Sequence, residues 1–377
     1  MKRLLAISLV GGVLIAGAAY YRFTRLPARP IPLKQAEVFA SRLRQEANLE
    51  NPKPIARQTF ELAELTAQFP PRFQNKNKAA VFQIACPPGL VQTGSLTFSR
   101  WPEQRLPAVL PQKDTTLEPR ADVYGYETPD GKRTEWYVNF ADENLFFVYG
   151  GGLLAQDELQ VAEHPALAAL REALIAKKID AFTVAEARPT PVLVAGVPRR
   201  CRLLLNPDSA QGRPHGLYGN NFAEAEIEAV RKATVALDPP AISNIIAIAA
   251  PSGGSGEYEA AEIEFILATA YTGFRAAVLE SQRMGGVGGG EVVIHTGFWG
   301  CGAFGGNREL MATLQILAAS LAGVNRLVFH TFDAAGMERL EAARRVLTKI
   351  TPGENTLAGL IERITARKYR WGVSDGN

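Results

Sequence analysis

The feature that most constrains this chain is an alternation running through its second half. Short apolar segments at 191–197, 245–250, 292–295 and 326–332 are separated by helix-patterned segments at 224–236, 260–272 and 309–322. Strand, helix and strand in repetition indicate an α/β sheet covered by helices on both faces. The stripe Leu310, Leu314, Leu317 and Leu321 gives one of those helices its core face. An apolar share of 47% supplies the core that such a sheet needs.

Upstream, residues 80–85 read as a short apolar strand. Residues 121–127 and 134–140 flank Pro129-Asp130-Gly131-Lys132, a turn sequence that predicts a hairpin. Pro165 suits the first position of a helix over 166–177, with Leu167, Leu170 and Leu174 on one face. Helices are also expected over 34–46 and 59–67, the second stopped by Pro70-Pro71. The chain divides into an N-terminal segment 1–25, a proline-rich spacer and helical accessory region 26–79, and a domain over 80–377.

Residues 4–21 form an uncharged apolar run behind a basic start. It reads as a membrane-anchoring helix with the body on the cytosolic side, because Arg22, Arg25 and Arg29 follow it. The alternative is a signal peptide cleaved near Ala16-Gly17-Ala18. A net charge of +3 gives no argument for DNA binding. Cys86, Cys201 and Cys301 are too dispersed for a zinc site or a disulfide framework, and Cys301 reads as a packing residue. Neither metal nor cofactor is implied.

Two stretches carry the chemistry. In YGGGLLAQDELQ, Gly150, Gly151 and Gly152 let backbone N–H groups approach a ligand, and a helix follows at once. Gln156, Asp157 and Glu158 fall in its first turn, where only one of the two acids can point squarely at a ligand. An ordinary turn is the competing reading of this stretch alone. The second stretch, VIHTGFWGCGAFGGN, runs from a strand through Gly297, Gly300, Gly302, Gly305 and Gly306 into a helix. Two such loops after strands suggest a diphosphate gripped from both sides, at the strand ends where open sheets bind ligands. Residues 251–256 either border that ligand or form a plain loop, and 285–290 read as a linker. His295 and His330 read as core histidines. Tyr218 and Phe222 are candidates for stacking on adenine, against a core reading.

HTGFWGCGAFGGNRELMATLQILAA closely resembles the glycine loop and helix of poly(ADP-ribose) glycohydrolases, and GGG followed by glutamine and two acids resembles their signature. QDELQVAEHPAL, VNFAD, ATAYTGF and LVFHTFD agree in type and order, so the resemblance covers about residues 80–333. It implies a three-layer α/β/α macrodomain-like fold with a mixed sheet, and a poly(ADP-ribose) or ADP-ribosylated substrate. It also implies hydrolysis of the ribose–ribose O-glycosidic bond, with Glu158 as acid and then base. Asp157 and Asp142 would address the distal ribose, and Gly150, Gly151, Gly152 and Gln156 would form one side of the ADP-ribose site. Gly300, Gly302, Ala303 and Phe304 would close the other. The chain departs from the family in a spacer of only Leu153-Leu154-Ala155, in Asp157 for glutamate, and in Asp142 and Phe298 for asparagines. A reader that binds ADP-ribose without cleaving it is the alternative function, and a structural protein with a closed cleft is a third.

Overall fold

The structure, a computed structural model, describes residues 52–111, 115–127, 131–285 and 290–376. Its strands are β1 (Ala56–Glu61), β2 (Ser95–Arg100), β3 (Thr116–Arg120), β4 (Arg133–Ala141), β5 (Val184–Ala185), β6 (Arg188–Pro189), β7 (Val192–Leu203), β8 (Thr234–Ala249), β9 (Glu291–Thr296) and β10 (Arg326–His330). The helices are α1 (Leu62–Gln68), α2 (Lys76–Ala85), α3 (Gln156–Glu163), α4 (Pro165–Ala176), α5 (Asn221–Glu224), α6 (Ile227–Ala233), α7 (Ala260–Gly285), α8 (Arg308–Ala322), α9 (Ala334–Ile350) and α10 (Leu357–Thr365).

Eight strands form one mixed sheet in the order β1-β2-β7-β8-β4-β9-β10-β3. From β8 to β3 every neighbouring pair is parallel, and from β1 to β8 every pair is antiparallel. Alternation along β8 shows why the fold has three layers. Ile246 and Ile248 pack with Ile266, Phe274 and Leu314 of α7 and α8. Ile245 and Ala247, pointing the other way, pack with Leu167, Leu170 and Leu174 of α4. The mixed α/β sheet and the strands after Pro191 accord with the sequence reading.

Several expectations need correction. Residues 80–85 are helical, not extended, because Asn75 caps α2 by accepting the N–H groups of Asn77 and Lys78 at 2.9 and 3.2 Å. The hairpin around Gly131 does not form. Residues 121–127 contain no strand, and β4 pairs in parallel with β8 and β9 instead. The helix expected over 224–236 stops at Ala233, because the chain from Thr234 pairs with β7. The helix expected over 59–67 begins at Leu62, after a strand that pairs with β2. The accessory stretch therefore contributes an edge strand to the sheet, and the boundary expected at Ala80 falls inside α2.

The membrane placement is also corrected. Among the described residues no helix is long and apolar enough to cross a membrane. The apolar run 4–21 and the helix expected over 34–46 lie outside the described residues, so the fold offers no support for an N-terminal anchor or for a cytosolic body.

Candidate active site

The loops that follow β4, β8, β9 and β10 all leave the same edge of the sheet, the carboxyl edge where α/β proteins hold ligands. The β4 loop carries the first glycine stretch and the β9 loop carries the second, and their strands are neighbours. Both stretches named from the sequence therefore meet at one end of the molecule.

The glycine triplet is explained first by protein packing. The carbonyl of Gly150 accepts the N–H groups of Gln74 and Asn75 at 3.0 and 3.1 Å. A side chain on Gly150 would collide with the carbonyl of Arg72, and one on Gly152 would come within 2.9 Å of the Ala223 methyl. The accessory segment 72–78 thus lies against this loop, a contact that local sequence pattern does not disclose.

Past the triplet, the start of α3 is pinned to β4. The Gln156 side-chain amide donates to the Val138 carbonyl (3.1 Å), and its oxygen accepts the Phe140 N–H (2.7 Å). Gln156 therefore holds the helix to the strand end. Asp157 is 7% exposed and accepts a 3.0 Å hydrogen bond from the side-chain amide of Asn139. Glu158 is 3% exposed and reaches back to accept the N–H of Ala155 at 3.0 Å, as residues at this helical position do.

Burial dominates the electrostatics of these acids. Asp157 is raised well above the usual carboxylate range by burial and then by its neighbour Glu158, with Asn139 opposing. Glu158 is raised by burial, opposed chiefly by the Lys78 ammonium. A helix N-terminus alone would act in the other direction. Lys78 itself is 1% exposed, and burial lowers its pKa to about 8. Its ammonium donates to the Tyr149 carbonyl at 3.3 Å and lies 5.6 Å from the centroid of the Phe222 ring. One buried cation beside two buried acids favours a shared proton over full ionisation of both.

The remaining site candidates distribute unevenly. Asp142 is partly buried and accepts the Asn144 N–H at 3.0 Å. Gly300 adopts φ +74°, and a side chain there would come within 2.5 Å of the Ala250 methyl, so glycine is required for conformation and space alike. Trp299 anchors this loop by donating its indole N–H to the Ile248 carbonyl at 3.0 Å. Gly302 and Phe304 are partly buried, while Ala303 is exposed. Burial raises the Cys301 thiol, which keeps it a packing residue.

Tyr218 is 44% exposed and adjoins Gly219, which bridges to Leu154 just ahead of α3, so its ring sits at the rim. Phe222 does not join it. That side chain is fully buried with Val81, Leu154 and Val230, which overturns its assignment to adenine stacking.

His295 and His330 are buried, as expected, but within a polar chain. His295 bonds to Glu135 at 2.7 Å and to His330 at 3.0 Å, and His330 bonds to Asp122 at 2.8 Å. Among the described residues no group of His, Cys, Asp or Glu could hold a metal ion.

Lys78 lies outside every motif the sequence points to, whereas Asn139 and Phe332 fall within VNFAD and LVFHTFD with no role assigned to them. Phe332 follows β10 at φ +70°, 69% exposed. An unstrained bulky residue rarely adopts such a backbone. Its position directly after a parallel strand was the available signal.

These features define an α/β protein with paired glycine loops and a buried acid pair at the sheet's carboxyl edge. Residues 217–339 match the family model described as poly(ADP-ribose) glycohydrolase (PARG), Macro domain fold. Two similar proteins are from Arabidopsis thaliana. One, a probable poly(ADP-ribose) glycohydrolase 2, is 34% identical over 74 residues, which is 20% of this chain and 14% of that protein. The other, poly(ADP-ribose) glycohydrolase 1, is 44% identical over 48 residues, 13% of this chain and 9% of that one. The chain thus spans only a small part of the length of these relatives. Among solved structures, it is similar to the Thermomonospora curvata poly(ADP-ribose) glycohydrolase bound to ADP-HPD, at 18% identity and a TM-score of 0.36, covering 61% of this chain and 78% of that one. The Deinococcus radiodurans enzyme in complex with ADP-ribose gives 14% identity and a TM-score of 0.34, covering 78% and 95%.

Proposed function

We propose that this protein hydrolyses the ribose–ribose glycosidic bond of poly(ADP-ribose) or related conjugates, with Glu158 as the acid and then the base. One observation carries the reading: Glu158 is buried in the first turn of α3, at the sheet's carboxyl edge, and burial raises its pKa. A carboxyl held toward its neutral form can donate a proton to a leaving oxygen as an oxocarbenium-like sugar develops. The resulting carboxylate, supported by Lys78, then accepts a proton from the attacking water. A single carboxylate serving both steps departs from the usual pair. Asp157 and Asp142 orient the distal ribose. Gly150, Gly151, Gly152, Gly300, Gly302, Ala303 and Phe304 form the diphosphate cleft, with Tyr218 at its rim.

A second reading has its own support. Glu158 spends one oxygen on the Ala155 N–H, and Leu153-Leu154-Ala155 is a short link between triplet and acids. Both fit a protein that binds ADP-ribose and does not cleave it. The test is to give the purified full chain poly(ADP-ribose) and measure released ADP-ribose, with and without Glu158→Gln. Release that the substitution abolishes supports the hydrolase. Binding of ADP-ribose without release supports the reader, and no binding sinks both.

A further inference from the structure

The cleft between the two glycine loops is crossed by the chain's own segment 369–376. Tyr369 accepts the Tyr258 N–H at 2.8 Å, and the Trp371 N–H donates to Gly256 at 3.0 Å. The Trp371 indole stacks on Tyr258, centroids 4.3 Å apart and planes within 17°. It fills the space that a side chain on Gly254 would need. From there the backbone passes over the second glycine loop, where the Gly372 N–H donates to Gly305 at 2.8 Å. A side chain on Gly302 would come within 3.1 Å of Asp375 Oδ2. The segment then reaches Asn220, whose side-chain amide donates to Gly376 at 3.0 Å. Asn220 adjoins the first loop, because Gly219 and Leu154 exchange both backbone hydrogen bonds.

The crossing piece is anchored at Trp371, which stacks on Tyr258 and packs against the core, while Val373 beyond it is 91% exposed. An aromatic plane at Trp371 and a carboxylate at Asp375, laid along a glycine loop, present the same classes of group as a base and a phosphate.

We propose that Trp371–Gly376 is a self-inhibitory strap that occupies the anion groove between the glycine loops, so that ligand enters when the strap lifts. This rests on the reading that the groove takes ADP-ribose. A strap closed nine-tenths of the time weakens apparent affinity about tenfold, since only the open fraction binds.

The test uses the full chain with Asn220→Cys and Gly376→Cys, two positions in contact through the Asn220 side chain, with disulfide formation confirmed by loss of free thiol. ADP-ribose binding is measured by calorimetry in the oxidised and reduced protein, with each single-cysteine variant as a control. Asp375→Ala is titrated in parallel. The strap predicts lost binding when oxidised, recovery on reduction, and about tenfold tighter binding in Asp375→Ala. Equal binding in the oxidised and reduced forms overturns it. Regulated binding with no hydrolysis in any form leaves the strap standing and removes the hydrolase reading. Absence of binding in every form removes both.

Discussion

Asn139, near the end of β4, donates its side-chain amide to Asp157 in the first turn of α3 across 3.0 Å, both groups fully enclosed. This bond joins the strand to the helix that carries Glu158. Asn139→Ala leaves a buried carboxyl without its donor, and such a loss costs about 1–3 kcal/mol. Denaturant unfolding at pH 7 measures it, and an unchanged midpoint would count against the pairing.

The acid pair dictates a pH dependence of stability. Burial raises Asp157 and Glu158, so between the ordinary carboxylate range and their raised values the folded chain holds more protons than the unfolded one. Stability therefore falls as pH rises through that window. Asp157→Asn removes part of the penalty and raises the melting temperature at pH 7. Each unit of pKa shift relieved is worth about 1.4 kcal/mol.

Glu158→Gln keeps the shape of the helix start and removes the titrating proton. A positioned acid–base group contributes about 10²–10⁴-fold. Hydrolysis of poly(ADP-ribose) should fall by that order while ADP-ribose affinity stays within a few-fold. A variant that hydrolyses at the wild-type rate removes Glu158 from the mechanism.

Lys78 opposes the upward shift of Glu158 and is itself lowered to about 8 by burial. Lys78→Met takes away that opposition, so the alkaline limb of the hydrolysis profile moves to higher pH. A profile that only loses height, with its limb in place, would mean that Lys78 serves packing alone.

His330 is lowered to about 4, first by burial and then by the neighbouring His295, with Asp122 opposing. Arg120 adds repulsion, while Glu135 lies beyond His295 and Tyr124 packs against the ring. The unfolded chain binds the extra proton between about 6.5 and 4, so stability rises with pH across that window. In His330→Gln the melting temperature should vary less between pH 4 and 6.5.

Much of this was legible in the chain itself. Strand and helix periods follow from where apolar residues recur, which is why β7 to β10 and α8 fall near their expected places. The glycine-dense β9 loop was legible because Gly300 meets a local demand for positive φ, and the first turn of α3 because residues 156–158 are contiguous.

The misplaced elements had a different origin. Residues 80–85 are apolar enough for either a strand or a helix, and the Asn75 cap decided the matter. Phe222 reads as an available aromatic until α2 and α6 close around it. Both acids could be named from the sequence, but their shifted pKa values depend on burial by elements distant in the chain. Lys78 is separated from Glu158 by eighty residues, and the strap lies about seventy residues from the second glycine loop and more than two hundred from the first. Local pattern determined the layers and the two loops, because periodicity and glycine conformation act over a few residues. Only tertiary packing decided the acids' environment, the rim and the strap, because desolvation and steric closure come from chain brought in from afar.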